Sequence, residues 1–434
     1  MKSKTLIACL LGLFLISFVS IHHGETVDSR PRPEEFRLPD YREIPNYPFL
    51  RQDLNRIQYF GDSHAFQSIF EKLDRLIFEG GESVSIMHIG GSHVQAGTLS
   101  NRLRENFFSL APGLKGERGF LFPFRLAHTN GPGNFKVEYT GTWDGCRCAV
   151  KKENCDWGLS GYAAHTFDSL STVKLWSFDT DSVAYGFNRV KIYHSMDSST
   201  STVRLDSSMK VTSVFEDSSR QYTEFVLGQS YDTLKFEVVQ LDSMQTNFTI
   251  QGIQLENDDP GISYNAIGVN GASVPSYLRC GKFQDQLATV MPDLVIFGIG
   301  INDAYGPSSR FSRENFEQNY DSLIGLIRQV NPNVSILFLT NNDSYYKRKY
   351  PNKNAIEVHQ AMLNLARKYN GAVWDLFHIM GGLNSVKSWE NAGLAKSDKV
   401  HFTSQGYILE ADLLFNAFRE SYGNYLASRY TREG

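Results

Sequence analysis

Four short stretches of this chain hold the residue types that acyl transfer requires. They are "GGSH" with Ser92, "GVNGAS" with Gly271, "GIND" with Asn302, and "DKVH" with Asp398 and His401. A serine hydroxyl is a weak nucleophile and needs a neutral imidazole to take its proton. The imidazole needs a carboxylate to fix its tautomer and stabilise its cation. Asp398 stands three residues before His401, so one short loop can set the carboxylate against Nδ1 and leave Nε2 for Ser92. A tetrahedral oxyanion needs donors. The backbone N–H groups of Ser92 and Gly271 and the side-chain amide of Asn302 are the candidates, each worth on the order of 3 kcal/mol.

A second serine competes for the nucleophile's role, because "GDSH" at Gly61–His64 is a near-copy of "GGSH" at Gly90–His93. The flanks separate them. After Ser63, Phe66, Ile69, Phe70, Leu73 and Ile77 recur at helical spacing, so Asp62 or Ser63 fits a helix N-cap. Before Ser92 the run "SVSIMHI" reads as a buried strand, and a helical stretch follows. Ser92 therefore belongs to a strand-to-helix turn, where open α/β folds place ligands. His93 is expected to line the pocket or serve structure rather than act as the base, and His88 to point into the flank of the sheet.

The elements that must position these residues fall into three blocks. The apolar run at 83–89, then "ISYNAIGV", "DLVIFGIG", "VSILFLT" and "GAVWDLF", read as five buried parallel strands with helices between the later ones. A doubly wound three-layer α/β/α fold follows, over 51–130 and 261–434. Between its first two strands, from 131 to 260, short segments such as "STVRLDS" and "DTLKFEVVQL" alternate apolar and polar residues, the pattern of an inserted antiparallel β-sandwich. Trp143, Trp157, Trp176, Tyr139, Tyr162, Tyr185 and Tyr193 lie in it. Such rings either fill a core or stack on sugars. Because the insertion leaves and re-enters between the Ser92 and Gly271 blocks, its attachment points are expected near the catalytic edge.

The N-terminus, 1–25, carries Lys2 and Lys4 ahead of an apolar run and reads as a secretory signal or an uncleaved membrane anchor. Residues 26–50 are proline-rich and charged and read as a tether with no core of its own. Excluding Cys9, four cysteines remain: Cys146, Cys148, Cys155 and Cys280. An even count in an exported chain favours disulfides, and "CRCAVKKENC" offers a metal clasp as the alternative. A net charge of −4 over 434 residues gives no electrostatic case for nucleic acid, and "GIGIND" lacks the spacing of a dinucleotide or phosphate loop.

With the blocks in this order, the chain resembles the SGNH/GDSL hydrolases, whose four blocks carry Ser, Gly, Asn and His. Here they fall on Ser92, Gly271, Asn302 and the Asp398/His401 pair, over roughly 83–110 and 262–420. One position departs: Gly91 stands where the family usually has an aspartate that braces the turn. "HIGGSHVQAG" and the inserted sandwich are similar to a narrower branch, the bacterial peptidoglycan O-acetylesterases with a carbohydrate-binding-like domain. The resemblance implies an exported serine esterase, periplasmic, outer-surface or secreted, that removes O-acetyl groups from a cell-envelope or extracellular glycan with no metal or organic cofactor. Two alternatives share the same residues: an O-acetyltransferase using the same triad, and a non-catalytic glycan-binding protein.

Overall fold

The expected apolar runs pair into one parallel sheet in the computed structural model, which describes residues 30–178 and 184–430. Its strands are Val84–Gly90, Ile262–Gly268, Leu294–Gly298, Ser335–Leu339 and Ala372–Trp374. A sixth strand, Ile57–Tyr59, joins antiparallel beside Ala372–Trp374; at three residues it is too short for its periodicity to show. Ile262–Gly268 lies on one side of Val84–Gly90 and Leu294–Gly298 on the other. The chain thus reverses its direction of winding around the first strand, and such switch points are where open α/β sheets hold ligands.

Successive side chains of a strand point to opposite faces, which makes this a three-layer structure. Leu294 and Ile296 pack on one side with Phe70, Phe107 and Phe418. Val295 and Phe297 pack on the other with Tyr320 and Leu323. Each such large side chain taken from water contributes about 1.5–3 kcal/mol. The helix after Ser63 runs His64–Asp74 and continues as a π-turn, Arg75–Glu79. The long last helix, Ser404–Tyr430, is buried through most of its first half.

The insertion is two antiparallel sheets, one of seven strands and one of four. It starts earlier than the alternation of residues suggests, because Gly119–Leu121 already pairs with Ile253–Leu255. The expectation for its attachment is corrected. The Thr98–Phe108 helix first carries the chain back across the sheet. Lys115 then bridges to Ile262, the first residue of its strand, so both attachment points lie at the amino edge, opposite the site. The sandwich reaches the carboxyl edge through Asn130 in a connecting segment and Tyr162 at the start of a strand, which contact Asn270 and Gln95. Its core also merges with that of the α/β domain: Trp157, Leu159 and Tyr162 share one buried cluster with Tyr277, Phe283 and Leu287.

The aromatic residues of the insertion are mainly core. Trp143, Trp157, Tyr162, Tyr185 and Tyr193 are buried, while Trp176 and Tyr139 are half-buried. Cys146 and Cys155 are disulfide-bonded, and Cys148 and Cys280 are buried thiols.

The segment read as a tether lies, from residue 30 on, against the α/β domain. Phe36, Leu38, Ile44, Tyr47 and Phe49 pack on its core. The Arg42 N–H donates to Asn416 Oδ1 at 2.8 Å, and Asn416 Nδ2 donates back to the Arg42 carbonyl at 2.9 Å. The expected signal or anchor at 1–25 lies outside the described residues. Among the described residues no helix is long and apolar enough to cross a membrane.

Candidate active site

Three strands end in register at glycines, since Gly90 pairs with both Gly268 and Gly298. The turns that follow carry Ser92, Gly271 and Asn302 within a few residues. Glycine is required at two of the strand ends by close approach. A Cβ at Gly268 would lie 2.3 Å from the Gln95 backbone nitrogen, and one at Gly90 would lie 2.3 Å from Val94 Cγ2. Gly271 itself has φ +80°, a conformation that costs glycine nothing and most residues about a kcal/mol or more.

Ser92 opens a single helical turn, Ser92–Gln95. Its Oγ lies 2.7 Å from His401 Nε2, and His401 Nδ1 lies 2.8 Å from Asp398 Oδ2. The other carboxylate oxygen, Oδ1, accepts the backbone N–H groups of Val400 and His401, both at 2.9 Å. Partial burial pushes the Asp398 pKa up. The hydrogen bonds from the His401 ring and from these two backbone groups outweigh it and hold the carboxyl well below the usual range. Asp398 is thus ionised whenever His401 is competent to accept a proton.

Gly271 and Asn302 line the same cleft as Ser92 and His401, with Gly91, Ile299, Ile301 and Val400, in a volume of about 360 Å³. Asn302 Nδ2 donates one hydrogen bond to the Ala272 carbonyl at 2.9 Å, which fixes the amide beside the Gly271 turn and leaves its second N–H for a ligand. All five predicted site residues therefore meet on one edge. Ser63 does not join them. It follows the antiparallel strand Ile57–Tyr59, and its neighbour Asp62 receives the His64 N–H at 2.9 Å as a helix cap.

His93 packs face to face on His401, with ring centroids 5.2 Å apart. Burial, helped by the neighbouring His401, lowers its pKa to about 3, so it offers a neutral surface to the His401 ring. His88 sits within the sheet with Nδ1 2.8 Å from the Tyr264 hydroxyl, and burial lowers its pKa to about 3 as well.

Three supporting residues escaped the sequence reading. Gln95 Oε1 accepts the Asn270 N–H at 2.5 Å and the Tyr162 hydroxyl at 2.9 Å, while its Nε2 donates to the Asn130 carbonyl at 2.7 Å. It thereby ties the Ser92 turn to the Gly271 turn and to the insertion. The Tyr277 hydroxyl donates to the Gly90 carbonyl at 2.7 Å. Asp303 accepts the Val274 N–H at 3.1 Å, and burial raises its pKa to about 7. Nothing in residue type or spacing marks a glutamine or a tyrosine for such work; only contact does. With Gly91 in place of an aspartate, the Gln95 and Tyr277 contacts are the ones that brace this turn.

The GDSL-like lipase/acylhydrolase family matches residues 247–409, which include Gly271, Asn302, Asp398 and His401. The chain carries a GDSL-like acylhydrolase domain. That places it among the carboxylic ester hydrolases. Ser92 lies outside the matched stretch and joins it through the pairing of Gly90 with Gly268 and Gly298. Among solved structures, a peptidoglycan O-acetylesterase superposes with a TM-score of 0.67 at 22% identity, over 85% of this chain and 99% of its own. That likeness is one of fold, and it takes in the inserted sandwich. An acetyl xylan esterase gives a TM-score of 0.29 at 22% identity, covering 36% of this chain and 81% of its own. The lipase/acylhydrolase from Enterococcus faecalis gives 0.30 at 18%, covering 37% and 77%. No curated protein matches the sequence.

Proposed function

We propose that this acylhydrolase is an exported serine esterase that removes O-acetyl groups from a cell-envelope or extracellular glycan. The observation that carries the reading is the continuous chain Ser92 Oγ–His401 Nε2 and His401 Nδ1–Asp398 Oδ2, at 2.7 and 2.8 Å, on the wall of the cleft. Ser92 Oγ attacks the ester carbonyl as His401 takes its proton. The resulting oxyanion is held by the Ser92 and Gly271 N–H groups and the Asn302 amide. His401 then gives the proton to the departing sugar hydroxyl, and water resolves the acyl-Ser92 intermediate by the same steps in reverse.

A short acyl group fits the cleft of about 360 Å³, whose walls combine Gly91, Gly271, Ala272 and Gly300 with Ile299, Ile301 and Val400. Export is supported by the basic and apolar N-terminal sequence, and the glycan class by likeness of fold to a peptidoglycan O-acetylesterase. The test is incubation of the purified protein with O-acetylated peptidoglycan and with aryl esters of increasing acyl length, following released acetate and Ser92 acylation by mass spectrometry. Acetate release with a preference for the shortest acyl chain is expected. Hydrolysis of long-chain esters only would overturn the substrate class, and transfer of acetyl to an added sugar acceptor in preference to water would make the enzyme a transferase.

A further inference from the structure

On the same edge of the sheet, but away from the Ser92 cleft, His359, Asp375 and His378 bring three ligand atoms within 4.8 Å of one another. We propose that this trio is a binding site for one divalent transition metal of the zinc class. His359 comes from the Asn354–Tyr369 helix, Asp375 follows the Ala372–Trp374 strand, and His378 lies on the short helix Leu376–Ile379. Asp375 Oδ2 lies 3.0 Å from His359 Nε2 and 2.7 Å from His378 Nδ1. Two imidazoles of different elements thus converge on a single carboxylate oxygen.

The donor set and its spacing fit a metal. Two imidazole nitrogens and one carboxylate oxygen are borderline ligands that suit zinc and its neighbours rather than calcium or magnesium. Bonds of about 2.0–2.1 Å in a tetrahedral shell put ligand atoms about 3.3 Å apart. The two carboxylate–imidazole distances, 3.0 and 2.7 Å, lie within about 0.6 Å of that spacing, and all three ligand atoms lie within 4.8 Å of one another. A cation there would replace the ring protons that His359 Nε2 and His378 Nδ1 each need in order to donate to Asp375.

The outer contacts orient the carboxylate. The Thr340 hydroxyl donates to Asp375 Oδ1 at 3.1 Å while accepting the Phe377 N–H at 2.9 Å. The His378 N–H also reaches Oδ1, at 3.3 Å. Oδ1 is thereby occupied and Oδ2 is the oxygen presented, the kind of support by which proteins hold metal ligands in place. The side chains of His359 and Asp375 are only 15% and 10% exposed, whereas that of His378 is 48% exposed. The trio is anchored on one side and open to solvent on the other, so a fourth position remains for water or for an anionic group of a ligand.

This site is separate from acyl transfer. Asp375 follows a strand three places removed from Val84–Gly90 in the sheet, about 14 Å at the usual strand spacing. The proposal therefore stands whether or not Ser92 is the nucleophile.

The experiment is a titration of the chelator-stripped full chain with zinc chloride, followed by calorimetry and by metal analysis after desalting. Parallel titrations use His359→Ala, His378→Ala and, as a control for metal captured at the catalytic residues, Ser92→Ala. Cobalt(II) absorption reports the geometry. One equivalent bound by wild type and by Ser92→Ala, at least tenfold weaker in both histidine variants, is expected, with aryl ester turnover unchanged in His378→Ala. No binding at 100-micromolar-order zinc, or equal binding by wild type and both histidine variants, overturns the site.

Discussion

Ser63 and Ser92 lie at opposite edges of one β-sheet. Ser63 follows the strand that pairs antiparallel with Ala372–Trp374, whereas Ser92 follows a strand parallel to its neighbours. Two nearly identical tetrapeptides thus lie at opposite ends of the strands. Ser92→Ala should abolish ester hydrolysis, a loss of many powers of ten. Ser63→Ala should leave the rate within a fewfold, since the cap there is made by Asp62. Steady-state hydrolysis of an aryl acetate by the two variants decides it, and a reversed pattern would remove the whole site assignment.

Asp398 should matter through His401. Asp398→Asn keeps the volume but cannot hold the required tautomer or stabilise the imidazolium, and kcat should fall about 10³–10⁴-fold. Because the Asp398 carboxyl is held below the usual range, it stays ionised across the assay range. Asp398 is therefore expected to add no ionisation of its own to the acid limb of the pH–rate profile. A pH–rate profile with two acid-side ionisations would contradict this.

Gln95 should couple the insertion to catalysis. Gln95→Ala leaves the Asn270 N–H and the Tyr162 hydroxyl without their acceptor, and each such buried group costs about 1–3 kcal/mol. Lower kcat and a lower melting temperature are expected together. Tyr162→Phe removes only one of the two contacts and should do less. If Tyr162→Phe has no further effect in the Gln95→Ala background, a double-mutant cycle will have located the coupling in this hydrogen bond.

Glu410, on the last helix, is buried with Oε2 unpartnered, and burial raises its pKa to about 8. The folded state therefore holds this proton more tightly than the unfolded state, where the group titrates near 4.3. The stability it contributes is complete below that value and is lost as pH rises towards 8. Glu410→Gln cannot ionise. Its melting temperature relative to wild type should climb between pH 5 and 8 and then level off. Parallel melting curves across that range would show that Glu410 does not titrate in this way.

The sequence determined the parallel sheet and the inserted sandwich, and it nominated five residues that the structure brings to one edge. Strand periodicity is a local property, and Ser92, Gly271, Asn302, Asp398 and His401 are types that acyl transfer demands, found in turns after strands or just before the last helix. Ser63, the sharpest rival, is disfavoured by its helical flank and by the strand that precedes Ser92. Tertiary structure decided what depends on contacts between distant segments. It placed the insertion's attachment at the amino edge, because the Thr98–Phe108 helix reverses the chain first. It sent Trp143, Trp157 and Tyr162 into a core continuous with Phe283 and Leu287, since an aromatic residue in a strand reads the same whether its face meets water or another sheet. It chose Cys155 from among the partners open to Cys146. It also brought Gln95 to Tyr162, and His359 to the local Asp375–His378 pair, contacts that no spacing encodes because the partners sit on different elements of the fold.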